Sequence, residues 1–359
     1  MAAAEHRPDL ADLDRSALES ALADAGHQRF HARQIFQWIY RRGITDAKAM
    51  TDLSRDLRAT LAERFTLTTP TLVHREKSSD GTEKFLLRLA DGKQIESVFI
   101  PDTPSMTFCI STQVGCAMAC AFCLTGKMGL VRNLTAGEIV GQVRVLADAL
   151  DMREVAFNIV LMGMGEPLHN YDETMTALRI LTDDHGFAMP PRRITLSTVG
   201  LLSALERLAG EPVMPNLAIS LHAPTDLQRG ELVPINKKYG VADIIAACKR
   251  FPVRKRSRIT FEYVMLAGVN DSPRDARALA KLVAGVKSKV NLIPLNAAPG
   301  IPFERPSDAA IDKFAKIVAD HGVVVSVRKS RGRDIRAACG QLIVEGQKKS
   351  ASQQLAVVM

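Results

Sequence analysis

The run Cys109-Ile-Ser-Thr-Gln-Val-Gly-Cys116-Ala-Met-Ala-Cys120-Ala-Phe-Cys123 holds three cysteines within eight residues, spaced C-x3-C-x2-C. Thiolates are soft ligands that select zinc or iron–sulfur clusters. A structural zinc needs a fourth ligand, usually from a second C-x2-C pair, and the sequence offers no such pair. Three thiolates on a four-iron cluster would leave one iron open to a small molecule, which is a catalytic arrangement rather than an electron-carrying one. A non-catalytic, zinc-stabilised RNA-binding protein, with Cys116, Cys120 and Cys123 closing the metal site, is the alternative of another class.

Outward from this run, short apolar stretches alternate with amphipathic ones of helical length from about 105 to 328. Strands are expected at Thr107–Val114, Val155–Met162, Arg193–Thr198, Asn216–His222, Ile259–Leu266, Lys289–Leu295 and Val323–Val327. Helices are expected at Ala136–Leu150, Asp172–Thr182, Ala242–Arg250, Pro273–Val286 and Asp308–His321. Repeated βα units imply a parallel sheet, and six or so of them point to an α/β fold of the partial (βα)6 TIM-barrel type, with a doubly wound sheet as the other solution. The cysteines would then follow the first strand, at the C-terminal mouth where barrel active sites lie.

Upstream, residues 1–65 carry helical periodicity, with Ile35, Phe36 and Ile39 on one face, and read as a small accessory domain. Residues 66–104 switch to a two-residue period in Thr71–His74, Lys84–Leu89 and Ile95–Ile100, separated by Asp80-Gly81 and Asp91-Gly92. That pattern predicts a short antiparallel β linker piece. The barrel is expected over 105–328, and residues 329–359 read as a basic, glycine-punctuated mobile arm ending in a frayed tail from Lys348 to Met359.

The chain has 359 residues and a net charge of +8, which suits a polyanionic partner. Lys249–Arg258 holds six basic residues in ten, and Val325–Lys349 carries seven basic against two acidic residues. Aromatic residues make up only 5%, which argues against a base-stacking surface. No apolar run reaches the roughly 20 residues of a membrane helix. Six cysteines behind the start Met1-Ala-Ala-Ala-Glu-His-Arg, which is not signal-like, suggest a reducing cytoplasm. Cys248 reads as a core residue. Cys339 does not, because Arg333 and Arg336 nearby would favour its thiolate.

Further polar motifs end the successive strands. They are Gly163-Met-Gly165-Glu166-Pro167, Thr195-Leu-Ser197-Thr198, Ala218-Ile-Ser220-Leu221-His222-Ala-Pro224 and Asn296. Together with Arg333-Asp-Ile-Arg-Ala-Ala-Cys339-Gly-Gln-Leu342, these motifs and the cysteine run resemble, over nearly the whole chain, the RlmN family of dual-specificity RNA methyltransferases in the radical S-adenosylmethionine superfamily.

The resemblance implies one 4Fe–4S cluster on Cys116, Cys120 and Cys123. It also implies S-adenosylmethionine, two molecules per turnover, bound by Gly165, Glu166, Ser197, Ser220, Leu221, His222 and Asn296. One molecule would methylate Cys339. The other would yield a 5′-deoxyadenosyl radical that takes hydrogen from the S-methyl group, and the resulting carbon radical would add to C2 of adenine. Glu96 would serve as general base, and Cys109 would resolve the covalent adduct through a transient disulfide. The substrates implied are 23S rRNA and tRNA, with a flavodoxin or ferredoxin as electron donor and a monomer as the default state. A family relative of the Cfr type, which methylates C8 of the same rRNA adenosine, is the alternative within the superfamily.

Overall fold

The computed structural model describes residues 7–101 and 105–344. The first six residues, the stretch 345–349 of the basic arm and the tail from Lys348 to Met359 lie outside the described residues.

The N-terminal module begins with α1 (Arg15–Asp24), whose Asp14 cap accepts from the Ala17 amide. Helix α2 (His31–Phe36) runs into a wider turn at Gln37–Arg41, and α3 (Arg55–Arg64) closes the module. Ile35, Phe36 and Ile39 are fully buried, as their periodicity predicts. The module is fastened to the rest of the chain by Arg15 on Asp183 (2.7 Å), Arg179 on Asp14 (2.6 Å) and the Gly137 amide on Asp12 (2.8 Å).

The antiparallel strands β1 (Thr71–Lys77), β2 (Glu83–Arg88) and β3 (Gln94–Ile100) form the predicted meander. It is not a free-standing linker. Strand β3 pairs antiparallel with β4 (Thr107–Cys109), which makes the meander the flank of the main sheet.

The predicted strand Thr107–Val114 is divided. After β4 the chain leaves the sheet, and β5 (Gln113–Gly115) pairs instead with β6 (Leu130–Asn133). The cysteine loop and the short α4 (Leu124–Met128) lie between these two strands. The sequence reading missed α4 and β6, and further along the chain the helices Leu202–Ala209 and Asp226–Leu232, because none of these is long enough to show a clear period.

The remaining parallel strands are β7 (Asn158–Leu161), β8 (Ile194–Thr198), β9 (Asn216–Ser220), β10 (Ile259–Met265), β11 (Ser288–Pro294) and β12 (Val325–Val327). They are joined by α5 (Ala136–Ala149), α6 (Tyr171–Thr182), α7 (Leu202–Ala209), α8 (Asp226–Leu232), α9 (Val241–Arg250), α10 (Pro273–Val283) and α11 (Asp308–Asp320). The order β4-β7-β8-β9-β10-β11-β12 follows the chain without reversal. A doubly wound sheet must reverse its order at a switch point, so the singly wound partial barrel is the fold. Thr135 and Glu138 close a capping box on α5, as do Ser272 and Asp275 on α10, each side-chain cap contributing about 1 kcal/mol.

The arm is docked over its described length, contrary to the mobile segment expected from its composition. Ile335, Ala337, Leu342 and Val344 are buried in the main core. Backbone bonds tie the arm down as well, with Leu124 N–H donating to Gly340 O (2.8 Å) and the Thr125 hydroxyl to Leu342 O (2.6 Å). Ser78 and the Ser79 amide hold Asp334. The basic residues dominate the composition of this segment, but the apolar ones between them decide where it lies.

Candidate active site

The β5–β6 hairpin clamps both ends of the cysteine loop. Gly115 has φ +76°, and a Cβ there would fall on the Gly129 carbonyl, so the glycine is required for the strands to meet. Cys116 N–H then donates to Gly129 O (3.0 Å) and Ala121 N–H to Leu232 O (2.9 Å). Cys116, Cys120 and Cys123 face one cavity of about 150 Å3, and none is in a disulfide. Burial pushes their thiols up, Cys116 to about 12, so they ionise only in exchange for a bound cation.

Among the described residues, no three His, Cys, Asp or Glu side chains stand where they could hold a single ion. The zinc-protein alternative gains no support from this arrangement.

The same cavity is walled by Gly163, Gly165, Glu166, Ser197, Ser220 and His222. A Cβ at Gly163 would stand 2.7 Å from the Ser111 hydroxyl. At Gly165, with φ +105°, it would stand 2.6 Å from the Gln113 side chain. The Glu166 carboxylate is 3% exposed and fully engaged, accepting from Leu168 N–H (3.0 Å) and Val199 N–H (2.9 Å), while burial lifts it to about 7. Ser197 and Ser220 stand with their hydroxyls 3.3 Å apart.

His222 adopts φ +62°, and its Nδ1 accepts from Val264 N–H (3.1 Å), which leaves the proton of the neutral ring on Nε2. Burial and Arg229 depress the ring to about 3. Leu221 behaves differently from its neighbours. Its side chain is fully buried in the main core, so only its backbone is near the site. Asn296 donates to Cys339 O (3.4 Å), while its buried Oδ1 has no partner among the described residues. Bare glycine backbone, paired hydroxyls and an orphaned amide oxygen beside three thiols fit a cluster with a small polar ligand.

A second, larger cavity of about 710 Å3 lies inside the partial barrel, where residues two apart on each strand face inward. Asn158 and Val160, Thr260 and Glu262, Lys289 and Asn291 form its wall, with Cys109 and Cys339. Met162, Glu262, Ile293, Asn296, Arg328 and Cys339 border both cavities. Cys109 is buried and pushed up to about 12, whereas Cys339 is exposed. Arg328 is the guanidinium that acts on both thiols.

Glu96 borders neither cavity. It is buried on β3, with Lys84 Nζ at 3.3 Å and Ile343 N–H donating to it at 2.9 Å, so it grips the arm just beyond Cys339. Burial raises its carboxyl above the ordinary range, with Lys84 opposing and Glu76 adding to the rise.

Sequence reasoning missed Arg229. It is fully buried on α8 and donates to the carbonyls of Leu221 (3.0 Å), Val199 (2.6 Å) and Ser220 (3.1 Å) and to Asn236 Oδ1 (2.9 Å), which pins the ends of β8 and β9. Asn270, likewise buried, bridges His222 O and Val264 O at 2.7 Å each.

A singly wound partial barrel whose first strand feeds a C-x3-C-x2-C loop defines a radical S-adenosylmethionine enzyme, and that superfamily's model matches residues 110–280. The model for the ribosomal RNA large subunit methyltransferase N-terminal domain matches residues 8–67. Dual-specificity RNA methyltransferase RlmN of Anaeromyxobacter dehalogenans is 47% identical over 94% of this chain and 92% of the relative. The protein of the same name from Rhodospirillum rubrum is 49% identical over 96% of this chain and 82% of its own. A crystal structure of a radical SAM methyltransferase from Sphaerobacter thermophilus superimposes with a TM-score of 0.88 at 49% identity, covering 93% of this chain and 99% of that one. The chain belongs to the RlmN family.

Proposed function

We propose that the chain methylates C2 of adenosine in 23S rRNA, at the peptidyl-transferase centre, and in tRNA, 3′ to the anticodon, with Cys339 as the methyl carrier. The observation that carries this reading is the position of Cys339 on the boundary of both cavities, with Cys109 on the wall of the larger one. A carrier thiol must meet a methyl donor on one side and an RNA base on the other, and this is where such a thiol belongs.

Cys116, Cys120 and Cys123 would hold a 4Fe–4S cluster. Gly165, Glu166, Ser197, Ser220, His222, Asn296 and the backbone of Leu221 would hold S-adenosylmethionine. When bound, the cluster and S-adenosylmethionine supply the methyl group and a one-electron cleavage. The larger cavity is lined by Arg192, Arg193, Lys289, Lys329 and Arg331, cations suited to RNA phosphates. An adenine reaching Cys339 must be unstacked, as in other base-modifying enzymes.

In this reading Glu96 would take the C2 proton after turning from the Ile343 amide toward the tethered base. Cys109 would attack the Cys339 sulfur, forming a Cys109–Cys339 disulfide as the carbon–sulfur bond to the methylated base breaks. The domain reading stands with this function. Residues 1–65 are an RNA-binding accessory module, 66–104 the flanking strands, 105–328 the barrel and 329–359 the arm that carries Cys339. The electron donor is of the flavodoxin or ferredoxin class, and the chain acts as a monomer in the cytoplasm. No described helix is long and apolar enough to cross a membrane.

The test is anaerobic reaction of cluster-reconstituted protein with unmodified 23S rRNA and tRNA, followed by nucleoside mass spectrometry. The expected product is 2-methyladenosine. An 8-methyladenosine product would move the site of attack to C8, and neither product from protein with an intact cluster would refute an RNA substrate.

A further inference from the structure

The strand Ile259-Thr-Phe-Glu-Tyr-Val-Met265 places one carboxylate, Glu262, in a mostly apolar run, and the sheet turns it inward with Thr260. Glu262 is 4% exposed and pairs in register with Ser220 on β9 and Asn291 on β11. Its orientation is fixed. Asn291 Nδ2 donates to Oε1 at 3.1 Å, and the Asn291 amide cannot flip freely because its Oδ1 accepts from Ser326 Oγ at 2.5 Å. The second carboxylate oxygen, Oε2, is buried and has no hydrogen-bond partner among the described residues. Glu166, the other deeply buried carboxylate of the site, has both oxygens occupied.

An ionised or neutral carboxyl oxygen left without a donor in a buried wall is costly, so such a group draws a donor from ordered water or from a ligand that displaces it. Glu262 borders both cavities beside Arg328, the same cation that acts on Cys109 and Cys339, and Lys289 also acts on it. Glu262 and Cys339 line the same two cavities, so a base bound against Cys339 shares a wall with this carboxylate. The group it can accept from is an N–H donor on the edge of that base.

We propose that Glu262 is the specificity-determining residue that receives the exocyclic amino group of the target adenine, with Asn291 and Ser326 as the residues that position it. The inference rests on the reading of the substrate as an RNA adenosine. It adds the point of the enzyme that distinguishes that base from one without an amino group.

The experiment compares two RNAs, identical except that one carries adenosine and the other purine riboside, which lacks only the amino group, at the target position. The full-length, cluster-loaded chain and its Glu262→Gln variant are measured on both. The expected result is a loss in kcat/KM of at least about tenfold for the wild-type chain on the purine RNA. The variant should lose a similar factor on the adenosine RNA, with no further loss on the purine RNA, as removal of either partner of one charge-assisted hydrogen bond requires.

If the variant's loss is equal on both RNAs, as mere packing or a contact to another ligand would give, the proposal is overturned. The ratio of the two substrates within one protein sample does not depend on how much of that sample is folded, and Glu262→Ala repeats the test without an amide in place of the carboxylate. If the wild-type chain methylates neither RNA although its cluster is intact, the underlying functional reading has failed, and the inference falls with it for that reason rather than through Glu262.

Discussion

The two cavities that meet at Cys339 are built by opposite means. The smaller is lined mainly by thiols, glycines, serines and apolar side chains, and Glu166, the enclosed carboxylate that it does not share with the larger, is occupied by backbone amides. The larger has Arg192, Arg193, Lys289, Lys329 and Arg331 on its wall, while Arg328 and Glu262 are shared by both cavities. One is specified by shape and by fixed neutral dipoles, which suits a ligand that must be held in a single pose. The other is specified by charge, which suits a polyanion arriving from solution. The difference shows that one barrel can separate the two binding problems along its axis and join them at a single sulfur.

The sharpest way to break this division is at the boundary itself. Cys339→Ala should abolish methylated base, a loss of more than about 1,000-fold, while 5′-deoxyadenosine still forms without coupling to RNA. Retained base methylation in that variant would end the carrier role. Cys109→Ala, on the RNA side, should instead accumulate protein covalently attached to RNA under turnover. A gel or mass-spectrometric search that finds no adduct would remove Cys109 from the resolving step.

On the cofactor side the comparison predicts a stability effect. Arg229→Met strips donors from the carbonyls of Leu221, Val199 and Ser220. It should cost about 3–5 kcal/mol in urea unfolding, as for breaking a buried charged network. A cost below about 1 kcal/mol would mean that the strand-end loops hold themselves.

Glu96 links the two sides through the arm, and its effect is on the pH profile. Burial raises its carboxyl above 4.5, opposed by Lys84 and reinforced by Glu76, with the Ile343 amide stabilising the anion. The base form is lost as pH falls, so activity should decline on the acid side around a pKa above 4.5, and Glu96→Gln should remove that limb along with most of the rate. An unchanged profile in the variant would exclude Glu96 as the base.

The smallest effects belong to the cation-lined wall. Arg193→Ala or Lys289→Ala should each weaken RNA binding severalfold and lower the slope of log K against log salt by about 1. A binding change without a change in slope would show that these cations do not meet phosphates.

Most of the barrel was legible, because inward-facing apolar strands and amphipathic helices carry their periods openly. From β7 to β12 the observed bounds sit within a few residues of those read from the sequence. The division of Thr107–Val114 was not legible, since what ends β4 is the pairing of Gln113–Gly115 with Leu130–Asn133, a tertiary choice. The cysteines announced themselves by spacing. Arg229 did not, because the seven-residue helix Asp226–Leu232 is too short to show a period, and an arginine carries no sign of burial until the carbonyls around it are seen. Glu262 did leave a signal, a lone carboxylate inside a mostly apolar strand, which in a barrel marks an inward-facing polar position. The arm misled for a simple reason. Its charge is spread along the segment, while Ile335, Leu342 and Val344, which anchor it, are too few to form a period.

The docking of that arm also sets when the enzyme can become competent during its own synthesis. Its anchors reach across the chain, Thr125 to Leu342 over 217 residues and Glu96 to Ile343 over 247. A nascent chain therefore emerges with its cysteine loop and most of its barrel before the segment bearing Cys339 has left the ribosome. Closing so long a loop adds little entropy cost beyond that of a shorter one, so the delay is one of order rather than of stability. The segment bearing Cys339 thus joins the cavities only after the strands that wall them have been made, and a copy of the chain cut short before it would hold both cavities without the thiol at their boundary.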